Sequence, residues 1–166
     1  MDESSLYDYA VGALGRRMRS VAELKRLLRR RVEDDELGAT LVELVIARLK
    51  EQRYLNDAGY AAAFTSYRKE NDKFGRRRVI TDLKMRGVHP DVIEKAVAAA
   101  YSGVSEEALA RQYLRRKRIA KPANEKQAAR IFRSLVRAGF GTRTIIGILK
   151  KWDVDEEVLT VLESES

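Results

Sequence analysis

The chain has 166 residues, of which 45% are hydrophobic and 35% are charged, and its formal net charge is +8. This composition predicts a folded, strongly hydrated protein, and the absence of cysteine excludes disulfides, thiolate metal sites and a cysteine nucleophile. Because no apolar run approaches the ~20 residues of a membrane-spanning helix, and the first residues lack the pattern of a signal peptide, we expect a cytoplasmic protein with no membrane partner.

Apolar residues recur at helical spacing along almost the whole chain, which predicts an all-α protein. Ser20 and Glu23 form a capping box before a short amphipathic helix. The next helix is predicted from about residue 37 to 52, with Leu41, Leu44, Val45, Ile46 and Leu49 facing inward. Later helix starts are predicted at Asn56 or Asp57, Gly75, Pro90, Ser105, after Pro122 and at Thr142. The total is about nine helices.

One spacing pattern occurs twice: Leu, three residues, Gly, an apolar residue, four residues, Ile, three residues, an apolar residue. The copies are Leu83, Gly87, Val88, Ile93, Val97 and Leu135, Gly139, Phe140, Ile145, Leu149. Each glycine is predicted to end one helix in the left-handed conformation, so that each copy is a helical hairpin. A degenerate copy begins at Leu27. The chain then divides into three-helix repeats at 1–55, 56–103 and 104–166, the last with an acidic C-terminal tail.

The sequence offers little for catalysis. His89 is the single histidine, and its place before Pro90 predicts a helix cap or loop role rather than acid–base chemistry. No G-x-S-x-G motif is present, the acidic run 33–36 lacks the spacing of a calcium loop, and the glycines do not form a phosphate loop. We therefore predict a protein that is not an enzyme, with no catalytic residue, metal site or cofactor.

Basic residues concentrate in three segments. Residues 16–31 include eight basic residues and one acidic residue. Residues 68–86 include eight basic and three acidic residues, and residues 111–137 include ten basic residues and one acidic residue. Such rows can simply keep helix surfaces hydrated, but arginine forks also bind phosphate or carboxylate with two hydrogen bonds. The candidate partner- or DNA-binding residues are Arg16, Arg17, Lys25, Arg26, Arg29, Arg30, Arg76, Arg77, Arg78, Lys84, Arg115, Arg116, Lys117, Arg118, Arg133 and Arg137.

The aromatic residues are predicted to pack in the core rather than to form a surface on which bases stack, because most fall at apolar helical positions or at helix ends. They are Tyr54, Phe64, Tyr67, Phe74, Tyr101, Tyr113, Phe132 and Phe140. No helix presents the polar pattern of a base-reading recognition helix. Any binding of single- or double-stranded DNA is therefore expected to be weak and without sequence preference.

Three stretches together resemble the RecX family of regulatory proteins. They are Arg19 to Leu24 with Leu27, Leu49 to Asp57 running on to Phe64, and Phe74-Gly75 to Gly87-Val88. The chain departs from the family where Arg31 and Arg53 replace residues that are commonly Gly, and where about five extra residues follow Val32. The turn after the second helix is therefore expected to differ in shape.

The resemblance implies an elongated, curved array of three tandem three-helix repeats that binds RecA–DNA filaments. It further implies inhibition of the recombinase ATPase and of strand exchange, in the setting of DNA repair, recombination and the SOS response. We expect a monomer whose filament-facing residues are Arg29, Arg30, Arg76, Arg77, Arg78, Arg115, Arg116 and Arg118. The alternative is an autonomous, non-sequence-specific DNA-binding protein; a chaperone or adaptor ranks last, because no apolar groove is evident.

Overall fold

The computed structural model describes residues 1–165, which form ten α-helices and no strand. The helices are α1 (Glu3–Arg16), α2 (Val21–Arg29), α3 (Glu36–Glu51), α4 (Asp57–Glu70), α5 (Arg76–Met85), α6 (Pro90–Tyr101), α7 (Glu106–Arg116), α8 (Glu125–Arg137), α9 (Thr142–Lys151) and α10 (Glu156–Glu165). The all-α prediction is confirmed, and the predicted starts of α2 to α9 agree with the structure to within about two residues.

The prediction of about nine helices was one too few, because the segment interpreted as an acidic tail forms α10. Leu159 and Leu162 lie three residues apart on one face of this helix and are 3% and 5% exposed. Burying a leucine stabilises a fold by about 1.5–3 kcal/mol. The carboxylates of α10 therefore belong to the outer surface of a packed helix.

Helix starts are fixed by the side chains that the sequence indicated. The Ser20 hydroxyl oxygen accepts a hydrogen bond from the Glu23 amide at 3.1 Å, and the Glu23 carboxylate accepts one from the Ser20 amide at 3.1 Å. At α4, Asn56 provides the cap by accepting from the Gly59 amide. His89 caps α6, since its Nδ1 accepts from the Asp91 amide at 3.2 Å. The cap role predicted for His89 is confirmed.

The described chain divides into two compact units. Unit 1 comprises Met1–Phe64 and Leu83–Ala96. Its core lies among α1, α2 and α3, where Leu6, Leu24, Leu28, Val42, Ile46 and Leu49 are at most 1% exposed. Leu44 was predicted to face inward but is 48% exposed. The residues of α3 that do pack, 42, 45, 46 and 49, follow the helical period, and Leu44 lies about 200° around the helix from residue 42.

Unit 2 comprises Thr65–Asp82 and Val97–Ser166. Its core includes Leu114, Leu135, Phe140, Ile145 and Leu149, each at most 2% exposed. The Tyr113 ring lies 6.4 Å from the Phe74 ring and 6.1 Å from the Phe140 ring.

Two of the aromatic residues that were predicted to pack do not. Tyr54 is 60% exposed and Tyr67 is 61% exposed. Tyr54 lies in the turn that follows α3, and Tyr67 lies on α4 three residues after Phe64, which is half-buried. Their spacing alone therefore gave the wrong interpretation, because each lies on the outer side of its segment.

The two copies of the repeated pattern have matching turns. Gly87 has φ of 77° and Gly139 has φ of 98°. The amide of the next residue donates to the carbonyl five residues back, Val88 to Leu83 and Phe140 to Leu135. Arg53 adopts the same left-handed conformation with φ of 63°. These turns agree with the prediction, while the division into three repeats stays a prediction.

Candidate polyanion-binding surface

Unit 1 contains a shallow, arginine-rich depression of about 230 Å³. Helical spacing places Glu23, Arg26 and Leu27 on one face of α2, and Arg30, the C-cap residue, follows Arg26 by one turn. The residues before α2 complete the rim. The lining residues are Arg17, Arg19, Glu23, Arg26, Leu27 and Arg30.

The single carboxylate of this depression is already engaged. Glu23 Oε2 lies 3.5 Å from Arg86 Nη1 and 3.8 Å from Arg17 Nη2, while Oε1 accepts from the Ser20 amide. Burial alone would raise the pKa of the Glu23 carboxyl group, but the hydrogen bonds from Ser20 and Tyr60 and the charges of Arg86 and Arg17 together lower it below its usual value. Glu23 is therefore ionised at neutral pH, and Arg86, outside the depression, neutralises it.

The other guanidinium groups of the depression lack such a partner. Within residues 1–165, Arg19, Arg26 and Arg30 have no carboxylate oxygen within 4.0 Å. The Nε atom of Arg19 is also buried without a hydrogen-bond partner. A buried donor without an acceptor is costly. The anion complementarity of this part of unit 1 comes from the unpaired charges of Arg19, Arg26 and Arg30 at the depression.

Unit 2 contains a larger cleft of about 380 Å³. Arg133 and Arg137 lie one turn apart on α8, and Arg77 approaches from α5. The wall of the cleft is apolar where Val136 is 45% exposed. The remaining lining residues are Phe132, Phe140, Thr142 and Glu165. Three predicted arginines thus converge on a partly apolar surface.

Besides Arg17, three of the predicted residues form ion pairs within their own units. Arg78 Nε lies 3.1 Å from Asp82 Oδ2, and its Nη1 donates to the Arg137 carbonyl oxygen at 3.0 Å. Arg116 lies 3.8 Å from Asp72, and Lys25 lies 3.1 Å from Glu43. Because these cations already have anionic neighbours, they are less available to a partner than the unpaired arginines.

The remaining predicted residues are exposed and line neither the depression nor the cleft. They are Arg16, Arg29, Arg76, Lys84, Arg115, Lys117 and Arg118. Arg118 is a left-handed turn residue with φ of 57° after α7.

Arg76 lies near Tyr101, whose burial raises the pKa of its hydroxyl group to about 12. That hydroxyl donates to the Phe74 carbonyl oxygen at 2.7 Å.

Arg19 was not among the residues that the sequence predicted to bind a partner. Arg19 precedes the N-cap Ser20 and was counted only within a basic segment. No local pattern distinguishes it from Arg16 or Arg29. Its importance depends on the fold of unit 1, which buries its Nε atom beside three other guanidinium groups.

Residues 1–165 contain no cluster of three or more histidine, aspartate or glutamate side chains arranged to hold a metal ion. None of the helices in this part of the chain is both long enough and apolar enough to cross a membrane.

Comparison with known proteins identifies the family. A family model described as "RecX, second three-helix domain" matches residues 56–97. A regulatory protein RecX from Chromobacterium violaceum is 34% identical over 146 residues, which cover 87% of this chain and 89% of that protein. The chain belongs to the RecX family. A RecX protein from Myxococcus xanthus is 33% identical, with 88% of this chain and 82% of that protein covered.

The extent of the match differs among relatives of the RecX family. The chain spans 57% of the length of the RecX protein from Bacillus pumilus, at 29% identity. The crystal structure of RecX from Lactobacillus salivarius aligns with a TM-score of 0.69 over 92% of this chain and 97% of that one, at 21% identity. That structural similarity establishes the helical RecX fold.

Proposed function

We propose that this RecX-family chain binds RecA–DNA filaments and inhibits the recombinase ATPase and strand exchange, as a cytoplasmic monomer acting in DNA repair and the SOS response. The observation that carries the proposal is the combination of family membership with arginine clusters that have few internal partners. Its relatives are named regulatory proteins. A filament presents acidic protein surface and DNA phosphate side by side, which matches a surface that carries many separate guanidinium groups.

The mechanism would be multi-point electrostatic binding. The depression of unit 1 and the cleft of unit 2 each supply three predicted arginines: Arg17, Arg26 and Arg30 in one, Arg77, Arg133 and Arg137 in the other. Each contact alone is weak, but several contacts on one polymer raise the effective affinity without any new type of interaction. A protein held in this way covers filament surface that the recombinase needs for extension.

We also propose that the chain consists of three three-helix repeats, at 1–55, 56–103 and 104–166. Two observations support this division. Residues 56–97 match a family model of a three-helix domain, and the turns at Gly87 and Gly139 have the same left-handed conformation and hydrogen bond.

The test is the rate of ATP hydrolysis by the recombinase on single-stranded DNA, measured with increasing amounts of this protein. The wild-type protein is expected to lower the rate. The double substitution Arg133→Glu and Arg137→Glu should raise the concentration needed for half-inhibition by about a hundredfold or more, because two charge-assisted hydrogen bonds of about 1.5 kcal/mol each are lost.

The matched control is Arg130→Glu with Arg143→Glu. These two arginines are exposed in the same unit and lie on α8 and α9, but they do not line the cleft. The control makes the same change in net charge and should keep most of the inhibition. Equal losses from both pairs would remove the cleft from the site, and absence of inhibition by the wild-type protein would contradict the proposed function itself.

A further inference from the structure

We propose that the arginine depression of unit 1 is a phosphate-binding site for the sugar–phosphate backbone of a nucleic acid. This inference rests on the proposed function only for bringing the protein to DNA. The residues that we propose to contact the phosphate are Arg17, Arg19, Arg26 and Arg30.

Charge balance is the first argument. Four guanidinium groups line the depression, and its one carboxylate, Glu23, is already paired with Arg86 from outside. Arg26 lies in the last turn of α2 and Arg30 is the C-cap residue four positions later, where like charges destabilise a helix end by about a few tenths of a kcal/mol. A bound anion would relieve this repulsion.

The shape of the site favours phosphate over carboxylate. A carboxylate presents two oxygens in one plane and suits one guanidinium fork. The unpaired guanidinium groups here come from both ends of α2, Arg19 from the segment before it, Arg26 from its last turn and Arg30 from its C-cap. A tetrahedral phosphate can accept hydrogen bonds from both directions at once. Because the depression is shallow, the phosphate can remain part of a polymer that passes across it.

The residues that line the depression also indicate that it does not recognise the bases of a nucleic acid. It contains no aromatic side chain and only one apolar residue, Leu27. Bases therefore have no surface on which to stack, and the contact is restricted to the backbone.

The first experiment observes the arginine Nε–H resonances of the full-length chain by nuclear magnetic resonance. Inorganic phosphate and acetate are the probes, added separately at constant ionic strength. Phosphate is expected to shift the resonances of Arg19 and Arg26 at concentrations where acetate has little effect. An equal or stronger response to acetate would overturn the proposal and assign the depression to an acidic protein surface.

The second experiment measures binding of a labelled DNA duplex by fluorescence anisotropy at several salt concentrations, without recombinase. The variant Arg26→Gln with Arg30→Gln should reduce the slope of log affinity against log salt by about 0.9, which corresponds to one lost phosphate contact. The control variant, Lys50→Gln with Lys95→Gln, removes the same charge from exposed positions of unit 1 that lie outside the depression and outside the candidate binding residues. It should change the slope less.

These readings separate the inference from the proposed function. A protein that fails to inhibit the recombinase but shows the pocket-specific change in slope would retain the phosphate site. A folded Arg26→Gln, Arg30→Gln variant with the wild-type slope would overturn the site, even if recombinase inhibition were intact. The circular dichroism spectra of the test variant and of the control variant should match the wild-type spectrum, which checks that both keep their helices.

Discussion

At the scale of single residues, Gly87 decides how closely α2 and the turn after α5 can approach within unit 1. Its φ is 77°, and a Cβ atom placed on it would lie 2.4 Å from the Cβ of Ala22. The same region carries the hydrogen bond from the Ser20 hydroxyl group to the Arg86 carbonyl oxygen at 2.6 Å. Gly87 therefore provides both the left-handed turn and the space for α2.

The substitution Gly87→Ala should reduce the free energy of unfolding by about 3 kcal/mol. About 1 kcal/mol comes from the left-handed backbone, and the rest comes from overpacking against Ala22. Gly103→Ala is the matched control, because Gly103 has φ of 70° but would meet nothing within 4 Å. It should lose only the backbone contribution. Urea denaturation of both variants measures the difference, and equal losses would show that α2 moves aside at little cost.

The residues that the sequence predicted well are those whose role is local. The glycine turns and the Ser20 and His89 caps depend on neighbours within a few positions, so their patterns were readable. The contact between Gly87 and Ala22 and the buried Nε of Arg19 depend on how distant segments pack. Composition and spacing contain no information about such contacts.

At the scale of elements, α10 shows how charge can obscure a helix. Its carboxylates led to the interpretation of an acidic tail, yet Leu159 and Leu162 are buried in the core of unit 2. The two leucines provide a short apolar stripe, which is easily overlooked in the sequence beside the four carboxylates of this helix. The inward position predicted for Leu44 was wrong for a different reason, because the apolar residues of α3 extend around the helix beyond the face that packs.

Truncation of Leu159 to alanine should reduce the free energy of unfolding of unit 2 by about 2–5 kcal/mol, the range for buried leucines. Val161→Ala is the control on the same helix, because Val161 is 49% exposed. It should change stability by about 0.5 kcal/mol or less. Hydrogen exchange of the α8, α9 and α10 amides reports the effect locally, and similar protection in both variants would show that α10 contributes little to the core.

At the scale of the whole molecule, net charge predicts a negatively charged partner but does not say which cations are free to contact it. The net charge of +8 and the three basic segments were evident in the sequence. Some of those cations, such as Arg78 and Lys25, form ion pairs within the protein. Others, such as Arg26 and Arg30, have no carboxylate within 4.0 Å in the part of the chain that the structure describes. Only the folded chain separates these two groups.

Salt dependence distinguishes a filament-binding protein from an autonomous DNA-binding protein. If about five phosphates are neutralised, affinity for naked duplex should fall by about 2.7 powers of ten between about 50 and 200 mM salt, because each contact contributes about 0.9 to the slope. Contacts to the recombinase add interactions that release no DNA counterions. Filament binding should therefore persist at a salt concentration that abolishes binding to naked DNA, as measured by co-sedimentation with recombinase filaments and by anisotropy with DNA alone. If both interactions disappear together, DNA phosphate supplies the whole affinity, and the autonomous DNA-binding alternative is correct.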